Sequence, residues 1–177
     1  MHQAPTSDRV VFSGAVEAIG RLVQERSPGQ LSHLGVAFSR LEPAYPVDVW
    51  AALIRKTSAL LFPNELAPEA EYLVGRHALL HYAQTLMGGA MFSVLRVIGP
   101  ARAIHRVGRA FRTSNNYSVA ETTALGPTAY VVTMNEVHTP FLYRGTIEST
   151  LTEIGASQCR VRVVSMGEAT TEYHCEG

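Results

Sequence analysis

Residues 113–137, TSNNYSVAETTALGPTAYVVTMNEV, are where the periodicity of the chain changes. Thr113-Ser114-Asn115-Asn116 is a turn signal, because short polar side chains bond back to their own backbone. Beyond it Tyr117, Val119 and Glu121 alternate with small or polar residues, Leu125-Gly126-Pro127 breaks the run, and residues 129–137 are rich in β-formers. Upstream the period is helical. After Ser13, Val16, Ile19, Leu22 and Val23 fall on one stripe; after the proline-punctuated LEPAYPVD, whose second proline biases Tyr45 toward extended backbone, so do Val47, Trp50, Ala51, Ile54 and Leu61. A helix then runs from Pro68 to about Met87, a nearly all-apolar helix 90–98 reads as buried, and Pro100 opens a further segment, 101–112. Val10-Val11-Phe12 fits either a short strand or the lead into a helix.

Downstream, residues 145–154 put Ile147, Leu151 and Ile154 on one helical face, with Gly155 as its C-terminal cap. Cys159, Val161 and Val163 then alternate along a strand, and residues 170–175 form its hairpin partner. The expected fold class is α+β, with helices packed on one face of a small antiparallel sheet. One domain is expected over residues 10–177, after a flexible tail of residues 1–9.

The 177 residues hold 15 Lys+Arg, 15 Asp+Glu, 46% hydrophobic residues and 2 cysteines. Such apolar content excludes disorder, and two cysteines are too few for a disulfide scaffold, so a reduced, cytoplasmic protein is expected. The most apolar segment, residues 86–99, is short and carries Arg96, so it cannot span a bilayer, and no membrane partner is expected. Neutrality hides a regional imbalance: residues 1–71 carry a net −2, residues 72–120 a net +6 with no carboxylate, and residues 121–177 a net −4. Within the middle region Arg102, Arg106, Arg109 and Arg112 recur at helical spacing and form a ridge. Three readings of the ridge stand side by side: a solvated face paired with Glu121, Glu136, Glu148 and Glu153; an anion site in which arginine forks hold an acidic group; or docking to an acidic partner, a second copy included. Nucleic acid is the least attractive partner, because only Phe111 and Tyr117 interleave with the arginines.

The order PAYPVDVW, LFP, GRHALLHYAQTLMGGA, IGPARAIHRVGRAFRTSNNY and RGTIESTLTEIGA resembles an uncharacterised paralogous family of myxobacterial proteins, a domain of unknown function. Tyr45, Pro46 and Trp50, then Gly75, Thr85 and Gly88, then Phe111, Arg112, Thr113, Asn116 and Tyr117 carry the match. More distantly, helices followed by a strand, the glycine-led helix GTIESTLTEIGA and another strand are similar to a superfamily of vinyl-reductase-type sensor domains, haem-nitric-oxide-binding domains and vesicle-tethering subunits. That resemblance implies a small apolar ligand, haem or an acyl chain held between helices and sheet. It puts His105 roughly where a haem ligand falls, but in place of the tyrosine-serine-arginine set for the propionates this chain reads Tyr130-Val131-Val132-Thr133-Met134.

His77 and His81 share a helical face as half of a zinc site, yet no third ligand accompanies them. There is no GxSxG elbow, no CxxC and no phosphate-binding glycine loop. No cofactor is expected, haem and zinc included. The preferred expectation is a non-enzymatic regulatory or signalling module that binds a small apolar or acidic ligand, in a pocket between helices 47–62 and 69–87 and strand 128–137. Tyr82, Thr85, Arg106, Tyr117 and His138 are the polar groups expected to reach it. The alternatives are an interaction or scaffolding module, such as a homodimer, assembling through the arginine helix, and an enzyme related to vinyl reductases.

Overall fold

A computed structural model describes residues 8–135, 138–156, 158–167 and 169–177. Most of the tail expected over residues 1–9 lies outside the described residues. Asp8 and Arg9 are tied down: the Asp8 carbonyl accepts from Asn116 Nδ2 at 2.8 Å, and the Arg9 carbonyl from the Val47 amide at 3.1 Å.

The short strand β1 (Val10–Phe12) pairs antiparallel with β2 (Ala44–Pro46), opposing Val11 to Tyr45, so the residues before α1 are a strand. Three helices follow the expected stripes: α1 (Ser13–Arg26), α2 (Val47–Leu61) and α3 (Ala67–Tyr82). Their inward residues, Ile19, Leu22, Leu53, Ile54 and Val74 among them, form one hydrophobic cluster, closed by Leu142. The second cluster lies between the sheet and the remaining helices. The sheet has the order β3-β4-β6-β5, all neighbours antiparallel, built from β3 (Ala120–Ala124), β4 (Ala129–Asn135), β5 (Arg160–Met166) and β6 (Thr170–Glu176). Strands β4 and β5 therefore run parallel with β6 slotted between them, and α7 (Pro140–Glu153) is the crossover. Val132, Met134, Val161 and Tyr173 meet Ile147 and Leu151 across this layer. The α+β class and the helix-covered antiparallel sheet are as the sequence indicates.

Helix α7 is shared by both clusters, and glycine makes that sharing feasible. A Cβ at Gly75 would lie 2.1 Å from the Leu142 carbonyl oxygen, and one at Gly145 2.2 Å from the Tyr72 carbonyl oxygen. Each helix thus presents its bare backbone to the other. Glu148 fastens the same crossing: it accepts from the Tyr72 hydroxyl and, at 2.9 Å, from the Val161 amide of β5.

Helix α7 starts at Pro140, five residues before the expected 145, and two other stretches differ from expectation as well. Thr85 caps α4 (Leu86–Ile98) by accepting from the Gly88 amide at 3.1 Å, so this helix starts four residues early and α3 stops at Tyr82. Only its Gly88, Phe92 and Leu95 side is buried; Leu86, Met87, Val94 and Val97 are 89%, 54%, 53% and 87% exposed, which corrects the reading of a buried helix. Residues 101–112 are not one helix either. They form α5 (Pro100–Ala103), a 3-10 turn (Ile104–Arg106) and α6 (Val107–Phe111). The Thr122 hydroxyl of β3 donates to the Ile104 carbonyl at 3.0 Å, taking the acceptor where the chain leaves α-helical geometry. Among the described residues no helix is long and apolar enough to cross a membrane.

Candidate functional site

Where the two clusters meet, packing leaves a cavity of about 90 Å³. Ala15, Ala18 and Ile19 of α1, Trp50 of α2 and Ala78 and Leu79 of α3 wall it on one side. Met91 and Leu95 of α4, Ile104, Val107 and Phe111 wall it opposite, and Leu142, Ile147 and Leu151 of α7 close it. The small alanines of α1 and α3 make the room, since larger side chains at those helical positions would fill it.

Polar atoms gather at one end. The Asn115 side chain accepts at Oδ1 from the Tyr117 and Ser118 amides at 3.1 and 2.7 Å, which fixes the turn after α6. Its amide nitrogen has only long contacts, 3.5 Å to the Tyr143 hydroxyl and 3.5 Å to Ser114 Oγ. The Tyr143 hydroxyl in turn lies 3.4 Å from that of Tyr117 and 3.3 Å from Ser118 Oγ. All four separations exceed the usual hydrogen-bond optimum, so these groups hold each other loosely and keep donor capacity. Burial raises the pKa of Tyr143 and of Tyr82, so both phenols are neutral donors.

Of the residues expected in the pocket, Tyr82 lines the cavity, with its hydroxyl 2.8 Å from that of Thr113. Thr85 is spent on the cap of α4 and on the Tyr82 carbonyl. Tyr117 stands one step behind Tyr143, while Arg106 and His138 are exposed. The strand expected to wall the pocket contributes no lining residue. Asn115 and Tyr143 were not singled out by pattern, although Tyr143 continues the spacing of Ile147 and Leu151 by four residues toward Pro140, a helix-opening proline.

The ridge arginines, Arg102, Arg106, Arg109 and Arg112, are exposed and make no ion pair among the described residues. Glu148 is engaged by Tyr72 and Val161, and Glu153 pairs with Arg96 at 3.8 Å. Glu136 lies outside the described residues. Of the expected histidine pair, His77 contacts Arg26 at 3.1 Å and His81 contacts Glu25 at 3.5 Å; among the described residues no group of three metal-ligating side chains converges.

A second cavity, about 180 Å³, opens at the sheet end between Pro100, Ile104, Tyr130, Leu151, Cys159 and Cys175. Burial pushes the Cys159 thiol up to about 11 and that of Cys175 up to about 12, so neither is a thiolate near neutral pH.

The family model described as "Protein of unknown function (DUF2378)" matches residues 7–176. No curated protein matches the chain. Solved structures share its fold. An oxygen-binding H-NOX domain related to soluble guanylate cyclases, in its oxygen complex, is 12% identical, with 91% of this chain and 92% of that one covered at a TM-score of 0.67. The Fe(II) unliganded H-NOX protein from K. algicida is 7% identical over 93% and 94% at 0.66. A structure described under "Modulating Heme Redox Potential Through Protein-Induced Porphyrin Distortion" is 12% identical over 92% and 97% at 0.69.

The expectation that haem plays no part is thereby overturned: this chain has the fold of haem-associated structures. In the present arrangement, however, the residues do not fit the group. The cavity lining holds no imidazole and no thiol, and its one soft metal-ligating atom, the Met91 thioether, faces the Thr113 hydroxyl at 3.7 Å. His105 is exposed, its ring edge-on to Tyr130 at 5.6 Å between centroids.

Proposed function

This chain belongs to the DUF2378 family, and from that premise we propose that it is a ligand-binding sensory module whose site is the cavity between its two hydrophobic clusters. The observation that carries the reading is an apolar cavity with Asn115 and Tyr143 at one end in long, weak contacts. Water gains little from such a wall, so the space takes up small apolar molecules. A ligand with an aliphatic or aromatic body and one oxygen acceptor satisfies both halves: the body replaces missing van der Waals partners, and the oxygen takes the Asn115 amide or the Tyr143 hydroxyl. Because both hydrophobic clusters supply lining residues, a bound molecule biases how they pack, to the extent that it binds one packing better than another.

Thermal denaturation of the purified chain with benzene, hexanol or hemin tests the reading. Hexanol and benzene are expected to raise Tm, and Ala78→Phe, which fills the cavity, to abolish both shifts. Tyr143→Phe should weaken hexanol binding about three- to tenfold, the loss of one hydrogen bond, and leave benzene unaffected. No shift with either apolar probe overturns the reading. Retained hemin with a Soret band, displacing hexanol, replaces the small ligand with haem.

A further inference from the structure

We propose that the outer face of α4 together with the exposed edge of α5 and α6 docks the protein peripherally onto an anionic lipid bilayer. The inference stands apart from the cavity, since it uses side chains on the opposite side of these helices. On α4, Leu86, Ala90, Val94 and Val97 recur at three- and four-residue spacing and are exposed, with Met87 beside them. An apolar helix face is ordinarily covered, yet this helix meets the core through its Gly88, Phe92 and Leu95 side only. The chain turns back at Gly99 and Pro100 into α5, which packs against the end of α4, so Arg102 follows Val97 by five residues around that turn; Thr113 meets Met91 on the cavity side of α4. Residues 72–120 contain no Asp or Glu at all, and the ridge arginines find no carboxylate among the described residues.

Three occupants could cover an apolar stripe on a helix followed by four arginines that make no ion pair among the described residues, and charge and side-chain chemistry separate them. A second copy related by a two-fold axis would bring the arginine ridges of both copies into one interface, and residues 72–120 supply no carboxylate to neutralise them. A protein partner is ordinarily gripped by exposed aromatic anchors, but the aromatic residues of this segment, Phe92 and Phe111, are both buried. A bilayer needs no matching pocket. Aliphatic side chains on a convex helix enter the acyl boundary while arginines meet lipid phosphates, and the helix lies on the membrane without spanning it. The shortness of residues 86–99 and the presence of Arg96 exclude a span, and both are compatible with this surface role.

Sedimentation of the full chain with vesicles tests the proposal, using phosphatidylcholine alone and phosphatidylcholine with phosphatidylglycerol. Binding is expected to the anionic vesicles. It should weaken as salt rises from about 0.1 to about 1 M, where screening shortens from about 10 to about 3 Å. Replacing Arg102, Arg106 and Arg109 with glutamine should lower partitioning on the order of 100-fold, at about fivefold for each charge. Val97→Glu should also abolish binding, with circular dichroism and Tm of every variant showing that the exposed substitutions leave the fold intact. Equal binding to both vesicles, binding to neither, or binding indifferent to these substitutions overturns the proposal. A dimer dissociated by Val97→Glu, in protein that ignores vesicles, assigns the face to a second copy instead.

Discussion

Two helix contacts in this molecule are built on opposite terms. Where α3 crosses α7, glycines bring bare backbones together, Glu148 ties both helices to β5, and the Arg144 guanidinium lies 4.0 Å over the Tyr72 ring centroid. Where α4 turns back into α5 and α6, the inner sides leave a cavity, and the outer sides carry uncovered leucine, methionine and valine together with arginines that make no ion pair among the described residues. The first contact has no freedom to change and no surface to offer. The second has both, which is why the ligand site and the docking face are read from it. Stability and function are thus spatially divided, and substitutions at the two contacts should separate accordingly.

The largest effect is expected at the crossing. Gly75→Ala or Gly145→Ala would ordinarily gain up to about 1 kcal/mol of helix propensity. Here the added methyl would meet a backbone carbonyl that cannot move aside, so each should instead cost about 3 kcal/mol or more, measured as a lowered urea midpoint. The double variant should cost less than the sum, since both act on one contact. Glu148→Leu comes next. It removes the acceptor of the Tyr72 hydroxyl and the Val161 amide together and should cost about 2 kcal/mol. An effect at Gly75 no larger than a surface change would mean that the helices can part, and the contrast would fail.

Sequence pattern reached the first contact more readily than the second. The stripes Val16-Ile19-Leu22 and Val47-Trp50-Ile54 reveal their buried sides because polar residues mark the other side. The alternation of Cys159, Val161 and Val163 with arginines reveals a strand for the same reason, and the β-formers of residues 129–137 reveal another by composition. Helix α4 defeats this logic: Ser93 and Arg96 are its only polar residues, too few to outline an outer side, and an exposed face of leucine and valine reads as buried. The break within residues 101–112 leaves no mark in the local pattern; it sits where Thr122, 18 residues away, bonds the Ile104 carbonyl. The pairing of Glu148 and Glu153 away from the ridge likewise depends on tertiary placement. A cavity is legible least of all, because it is a space between residues such as Ala18, Ala78 and Tyr143, each ordinary in its own helix.

At the second contact the same measurements should give small numbers. Val97→Ala and Leu86→Ala remove exposed side chains and should change stability by no more than about 0.5 kcal/mol, although comparable truncations at buried Leu53 or Ile104 should cost about 2–5 kcal/mol. A large loss at Val97 would show that this side is covered by part of the chain itself, and the face would no longer be available to a membrane.

The smallest effect tests whether the rigid side of the molecule carries any pH sensitivity of its own. His77, on α3, contacts the Arg26 guanidinium at 3.1 Å and stacks on Phe62 at 6.1 Å between ring centroids. Guanidinium only donates, so the ring nitrogen facing it bears a lone pair and the imidazole there is neutral. Burial first, then the charges of Arg26 and Arg76 and neighbouring His81, hold its pKa below the usual histidine value, against a smaller opposing pull from Glu25. Above about pH 6.5 both folded and unfolded chains leave this ring unprotonated, so its contribution to stability is complete. As pH falls below that value the unfolded chain takes a proton that the folded chain refuses, and stability declines until the lower folded pKa is passed. Tm should therefore drop between neutral and mildly acidic pH in the native protein, and drop less in His77→Gln. The ring is partly exposed, so solvent screening keeps the difference modest. An identical pH dependence in the variant would show that the acid sensitivity resides elsewhere and that the crossing side of α3 is as indifferent to protons as it is to packing changes on α4.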